Sequence, residues 1–324
     1  MPEEIITSTP MSIWAWLAFG AIIVVLLFLD MKVFHRKSGV ITIKQSLLWT
    51  AFWICLALLF NLGLWLWQRD SGMALDYLTC YLIEKSLSVD NLFVFLMVFS
   101  FFSVPAAYQH KVLFWGIIGA IVLRLAFIEA GATLLENFGW VFYIFGAFLI
   151  IAALRMAFQK EKEIHPEKNP ILKLLRKFVG VTDCYEGDRF FIKRFGKYVA
   201  TPLLVVVIVI ETTDVVFALD SIPAAFSITT DKFIVYTSNI FAILGLRSLY
   251  FALAGIMPLF HYLKYGLVVV LMFVGIKMIV EHYYHYEMPT AIALGVVVGV
   301  LIIAVIASII RNRRIKGTRQ RQDT

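Results

Sequence analysis

The sequence predicts an all-α, polytopic membrane protein with about nine transmembrane helices, six of them forming an inverted three-helix repeat. Its 324 residues are 61% hydrophobic and only 16% charged, with mean hydropathy +0.85, which no soluble class matches. The apolar residues gather into runs of about 20, the length that crosses some 30 Å of hydrocarbon. Charge in the connecting loops alternates in sign from one crossing to the next.

The N-terminal segment, 1–74, holds expected spans at 12–31 and 45–67, separated by a basic loop with Arg36 and Lys37. Glu3 and Glu4 stand where a cleavable signal would carry basic residues, so the first span is expected to be retained. Spans 75–101, 111–134 and 139–158 form the first three-helix unit, 75–158. A basic loop, 159–199, follows. It opens on Lys160-Glu-Lys-Glu163, and its last part, around 189–198, alternates and contains Gly196, which suits a small hairpin. Spans 200–221, 233–256 and 264–283 form the second unit, 200–283, and a ninth span at 289–310 with a basic tail completes 284–324. The positive-inside rule then puts the N-terminus in the periplasm and the C-terminus in the cytoplasm.

The repeat rests on matched polar residues. Glu84-Lys-Ser-Leu-Ser-Val-Asp90-Asn91 and Asp214-Val-Val-Phe-Ala-Leu-Asp220-Ser221 share one pattern: an acid, five residues, Asp, then a small polar residue. Gly116, Gly119 and Arg124 follow in the next span of the first unit, and Gly245 and Arg247 in that of the second. In the third, the stretch Gly146–Met156, ending Arg155-Met156, parallels Leu267–Met278, ending Gly275-Ile-Lys277-Met278. Because three is odd, the second copy must enter the membrane from the opposite side, an arrangement that places transporter sites near the midplane.

A carboxylate in hydrocarbon costs roughly 2.5–3.5 kcal/mol by insertion measurements, so its repetition points to cation handling. The candidate metal ligands are Glu84, Asp90, Asn91, Glu211, Asp214, Asp220 and Ser221, with Thr212 and Thr213 nearby. All offer hard oxygen donors, which suit Mn²⁺, Mg²⁺ or Ca²⁺. Arg124 and Arg247 are the expected charge compensators. For each acid the alternative is a salt bridge that fixes helix packing, with Lys85, Arg124 or Arg247 as partner.

Positions six apart on a helix are rotated by about 120°, so the two acids of each motif do not share a face. Either the helix unwinds locally, which Pro223 favours in the second unit, or each acid serves a different part of a pathway. Arg155 and Lys277 are expected to snorkel to the interface, and Glu129 has no counterpart in the repeat.

The net charge of +7 lies in alternate loops and in the tail after Arg311, as membrane topology requires, and no nucleic-acid partner is expected. Cys55, Cys80 and Cys184 show neither CxxC nor zinc spacing. No Gly-x-Gly-Asp or His-rich pattern accompanies the acids, so no enzyme is expected.

The string Glu211-Thr-Thr-Asp214 continuing to Ala224 resembles the signature of the TerC family of integral membrane proteins, and Glu84–Asn91 looks like its first-repeat counterpart. The stretches 200–204 and 238–247 make the chain similar to the Alx-type branch. The resemblance implies a bacterial inner-membrane protein of the LysE-like superfamily that exports Mn²⁺. It implies acidic site positions at Glu84, Asp90, Glu211, Asp214 and Asp220. A proton as counter-ion, the lipid bilayer as partner and no permanent cofactor complete the expectation. The rival expectation is a non-transporting membrane component of a metal, tellurite or alkaline stress response, with Lys160–Tyr198 as its docking element.

Overall fold

A computed structural model of the chain describes residues 12–35, 43–68, 71–158, 180–182, 184–194, 197–254, 262–284 and 288–322. The basic stretches at 36–42 and 159–179 lie outside the described residues. The elements are α1 (Ile13–His35), α2 (Ile43–Gln68), α3 (Ser71–Phe101), α4 (Ala106–Asn137), α5 (Val141–Phe158), β1 (Phe191–Arg194), β2 (Lys197–Ala200), α6 (Pro202–Phe226), α7 (Lys232–Leu244), α8 (Leu246–Ala254), α9 (Leu263–Tyr284) and α10 (Thr290–Gln322).

Six of these helices, α2, α4, α5, α6, α9 and α10, are long and apolar enough to cross a membrane. The pair α7 and α8, bent by 41° at Gly245, makes a seventh if taken as one span. The expected nine is therefore not reached by length and composition among the described residues. The described apolar part of α1 runs only Ile13–Leu29, and α3 carries Asp76, Glu84, Lys85 and Asp90 within its 31 residues. In α3 the shortfall and the candidate site have one cause, since the same charges lower its hydropathy.

Local chemistry fixes several helix ends. Pro202 opens α6 at a position that tolerates a missing N–H. Asp231 caps α7 by accepting from the Phe233 and Ile234 amides at 2.8 and 3.3 Å. Ser103 ends α3 in the left-handed region at φ 49°, while the Val104 amide donates back to the Phe99 carbonyl at 2.9 Å.

The core centres on α7, where every residue from Phe233 to Leu244 is buried. Around it α3 packs on α7 and α6, α4 packs on α6 and α7, and α5 packs along α9. Exchanging the triplet α3, α4, α5 for α6, α7, α9 swaps the α3–α7 and α4–α6 contacts and returns α3–α6, α4–α7 and α5–α9 to themselves. A close approach joins Gly146 of α5 to Gly275 of α9: a β-carbon built on either would lie 2.8 Å from the other's carbonyl oxygen. Small residues that let backbones meet are the usual adhesive between helices in lipid. Outside the triplets, α10 lies on α9 and α3, where the Thr290 hydroxyl donates to Asp76 Oδ1 at 2.7 Å.

Two expectations need correction here. α6 runs unbroken through Asp214, Asp220 and Pro223 to Phe226. Pro223 falls in the last turn, where little helix remains for a kink to redirect. The break comes instead at Gly245, between α7 and α8. Lys277 does not snorkel: it is buried and donates to the Ser227 carbonyl at 2.7 Å and to Glu281 Oε2 at 2.6 Å, tying the end of α6 to α9. Arg155, by contrast, is exposed in the last turn of α5.

Strands β1 and β2 form an antiparallel hairpin, with Phe191 opposite Ala200 and Arg194 opposite Lys197. The preceding segment docks on the α3–α4 connection. Tyr185 donates to the Phe102 carbonyl at 2.7 Å, and Lys111 Nζ lies 3.1 Å from Asp188 Oδ2. The hydrogen bond from Lys111 and its charge hold the Asp188 carboxyl below the ordinary carboxylate range.

Candidate functional site

Helices α3, α6 and α7 converge on one guanidinium carried by α4. Arg124 is 1% exposed. Its Nε and Nη2 face Asp214 Oδ2 and Oδ1 at 3.3 and 3.4 Å, so the fork meets both carboxylate oxygens. Nη1 donates to Glu84 Oε1, to Asn239 Oδ1 at 3.1 Å and to Ser221 Oγ at 3.3 Å. Asn239 completes the ring by donating from Nδ2 to Glu84 Oε2 at 3.1 Å. Glu84, Asp214, Ser221 and Asn239 are each buried.

Helix geometry explains this membership. Residues seven apart return to within about 20° of the same direction. Asp214 and Ser221 therefore share one face of α6, and Glu84 and Asn91 share one face of α3; all four are buried. What aligns in each motif is the first acid and the small polar residue. Asp220 is turned away from Asp214 and only partly buried. The backbone of Asp90 belongs to α3, and its side chain lies outside the described residues. Thr212 and Thr213 donate to carbonyls of their own helix, Ile208 at 2.6 Å and Val209 at 2.7 Å.

Glu211 sits three residues before Asp214 on the same side of α6. Its carboxylate lies directly over Gly119 of α4, in space that any β-carbon there would occupy. Oε2 of Glu211 is buried and has no hydrogen-bond partner among the described residues. Lys85, next to Glu84, points elsewhere: its Nζ donates to the Ala242 carbonyl at 3.0 Å, in the last turn of α7. An ammonium there complements the negative end of the helix dipole. A β-carbon at Gly245 would lie 3.0 Å from both this Nζ and Trp53 Cβ, so glycine lets both side chains approach the break closely. Arg247 is buried on α8 with its guanidinium 5.4 Å from the Phe114 ring centroid.

Two carboxyl groups face one guanidinium in a site shielded from water. Breaking such a buried set strands an ion, which makes the arrangement costly to disturb. Among the described residues no three His, Cys, Asp or Glu side chains are grouped to hold a metal, and Arg124 stands between the two best-buried acids. Asn239 was not among the residues singled out from sequence, although a carboxamide within an apolar span was a usable signal. Glu129 acquires a structural role: Lys232 Nζ lies 3.1 Å from both Glu129 and Glu136, and the Tyr236 hydroxyl is 3.2 Å from Glu129 Oε2, which joins α4 to α7.

The sequence model for the integral membrane protein TerC family matches residues 69–316. The chain is 48% identical over 298 residues to an uncharacterized membrane protein of Myxococcus xanthus, covering 92% of each chain. It is 47% identical over 299 residues to a protein of Salmonella typhi, covering 90% of this chain and 92% of the relative. It is 46% identical over 307 residues to one of Escherichia coli (strain K12), covering 92% and 95%. Both of the latter are described as a proposed membrane-bound redox modulator, Alx. No solved structure matches the chain.

Proposed function

The chain belongs to the TerC family of integral membrane proteins, and we propose that it exports a divalent metal ion, Mn²⁺ foremost, from the cytoplasm through the buried site between its two helix triplets. The observation that carries this reading is that Glu84 and Asp214, the matched acids of the two triplets, meet on a single buried positive charge. A site that holds a cation in this way at the seam of a repeat is suited to taking one up from either face. Its donors, Glu84, Asp214, Ser221 and Asn239, are all oxygens toward a metal, with Asn91 on the same face of α3 as Glu84. That chemistry fits a hard divalent ion.

Glu211, Asp90 and Asp220 line the approach in this reading, and a proton serves as counter-ion on the return. The chain lies in the bacterial inner membrane, N-terminus to the periplasm. The metal is cargo, and no residue makes or breaks a covalent bond. The redox role in the description of the two Alx relatives supplies the rival, a non-transporting modulator. The three thiols of this chain, Cys55, Cys80 and Cys184, are all free.

Everted membrane vesicles loaded from outside with radiolabelled Mn²⁺ test the proposal. Wild type should accumulate the label, and Glu84→Gln, Asp214→Asn and Asp220→Asn should abolish uptake at equal protein. Equal label in all four, with Mg²⁺ and Ca²⁺ equally inert, would overturn export and favour the non-transporting role.

A further inference from the structure

Building on the transport reading, we propose that Arg124 is the site's resident cation. Its guanidinium holds the place of the transported metal, and it withdraws to Glu211 when metal takes Glu84 and Asp214. The contacts of Arg124 are those of an occupant. A salt bridge that only fastens two helices needs one partner, whereas this guanidinium engages Glu84 of α3, Asp214 and Ser221 of α6 and Asn239 of α7 at once.

Charge decides what happens when metal arrives. Two carboxylates with the guanidinium carry one negative charge, and two carboxylates with a divalent ion carry none. Guanidinium and metal together would carry a surplus positive charge in a region that screens it poorly. The pair of acids therefore cannot balance both cations, and the guanidinium needs a third carboxylate once metal enters.

Glu211 is placed to receive it. Glu211 lies three residues before Asp214, which Arg124 already meets, a rise of about 4.5 Å along α6, and its carboxylate rests over Gly119 of α4. Glu211 Oε2 is buried without a hydrogen-bond partner among the described residues, and so offers an acceptor. The glycine at 119 makes the room in which that acceptor sits. The outcome is an exchanger in which metal and arginine compete for one pair of acids. The protein can reset across the membrane without exposing two bare carboxylates to hydrocarbon.

The test is equilibrium binding of radiolabelled Mn²⁺ to the purified full chain in lipid nanodiscs, paired with uptake into proteoliposomes. Arg124→Gln should bind Mn²⁺ at least 10-fold more tightly than wild type and lose at least 10-fold in transport. Arg124→Lys, which keeps a competing charge, should bind within about 3-fold of wild type. Glu211→Gln, which deprives the guanidinium of its destination, should bind at least 5-fold more weakly.

If wild type binds and folded Arg124→Gln binds equally or less tightly, Arg124 is no competitor and this inference fails while the transport reading stands. If Arg124→Gln does not fold, Glu211→Gln decides, and unchanged affinity there overturns the exchange. If no form binds Mn²⁺, Mg²⁺ or Ca²⁺ above empty nanodiscs, the transport reading itself fails.

Discussion

Adding one methyl group at Gly146 or Gly275 should prise α5 from α9. A β-carbon at Gly146 would lie 2.8 Å from the Gly275 carbonyl oxygen and 2.6 Å from Ile279 Cγ1; one at Gly275 would lie 2.8 Å from the Gly146 carbonyl and 3.0 Å from Ile150 Cγ1. Ordinary contact begins at 3.4 Å, and a helical carbonyl cannot rotate out of the way. The helices must part by about 0.6 Å, and gaps of that order forfeit a quarter to a half of the dispersion energy of facing atoms. Overpacking of this kind costs about 1–3 kcal/mol, against a gain of about 0.8–1 kcal/mol from replacing glycine by alanine in a helix. Each single variant should therefore lose up to about 2 kcal/mol net. Once the helices have parted, the second methyl finds room already made. The double variant should fall short of the sum of the singles by about 0.5 kcal/mol or more. Reversible unfolding in mild detergent, followed by circular dichroism, reads these differences. Gly295→Ala on α10, where nothing lies within 4 Å, is the control and should be neutral or stabilising. A Gly146→Ala variant as stable as that control, or strictly additive singles, would refute the reasoning.

Glu84→Gln should destabilise the fold by about 3 kcal/mol, the low end for a broken buried ion pair, because Asp214 and Asn239 still hold Arg124; the same detergent unfolding checks it. Asp231→Ala removes the cap of the 13-residue α7 and should cost about 1 kcal/mol, seen also as faster hydrogen exchange at Phe233 and Ile234. Docking of the β1–β2 hairpin should be insensitive to pH between about 6 and 8. Because Lys111 holds the folded-state pKa of Asp188 below its unfolded value, the contribution of that contact is fully present above the ordinary aspartate value of about 3.9 and is lost only as pH falls through the depressed one. Hydrogen exchange of the strand amides measures this, and release near pH 6 would show that another group holds the hairpin.

Much of the architecture was legible because burial in lipid demands long apolar runs, and charges within them stand out. Glu84, Asp214 and Arg124 were visible for that reason, and they do meet. Their arrangement was less legible. Attention to the six-residue spacing of Glu84 with Asp90 obscured the seven-residue spacing of Glu84 with Asn91 and of Asp214 with Ser221, which is the one that shares a face. Pro223 suggested a break because proline lacks a donor, yet its effect depends on how much helix follows. Gly245 was noted only as a repeat marker, since nothing local reveals that Lys85 and Trp53 crowd it from other helices. Asn239 joined the site through contacts across 115 and 155 positions of sequence, a separation over which neighbour spacing carries no information.

Glu84 and Lys85 are consecutive residues of α3, and successive side chains on a helix diverge by about 100°. One therefore grips the guanidinium on α4 while the other meets the last turn of α7 at Ala242. This ties two mechanical events to one rigid rod. If α3 rolls or slides enough to release Glu84, it drags Lys85 off the Ala242 carbonyl in the same stroke, and the kinked pair α7–α8 loses this contact as the Arg124 cluster comes apart. The two contacts are thus linked by covalent adjacency, as followers on one camshaft are, with no signal relayed between them.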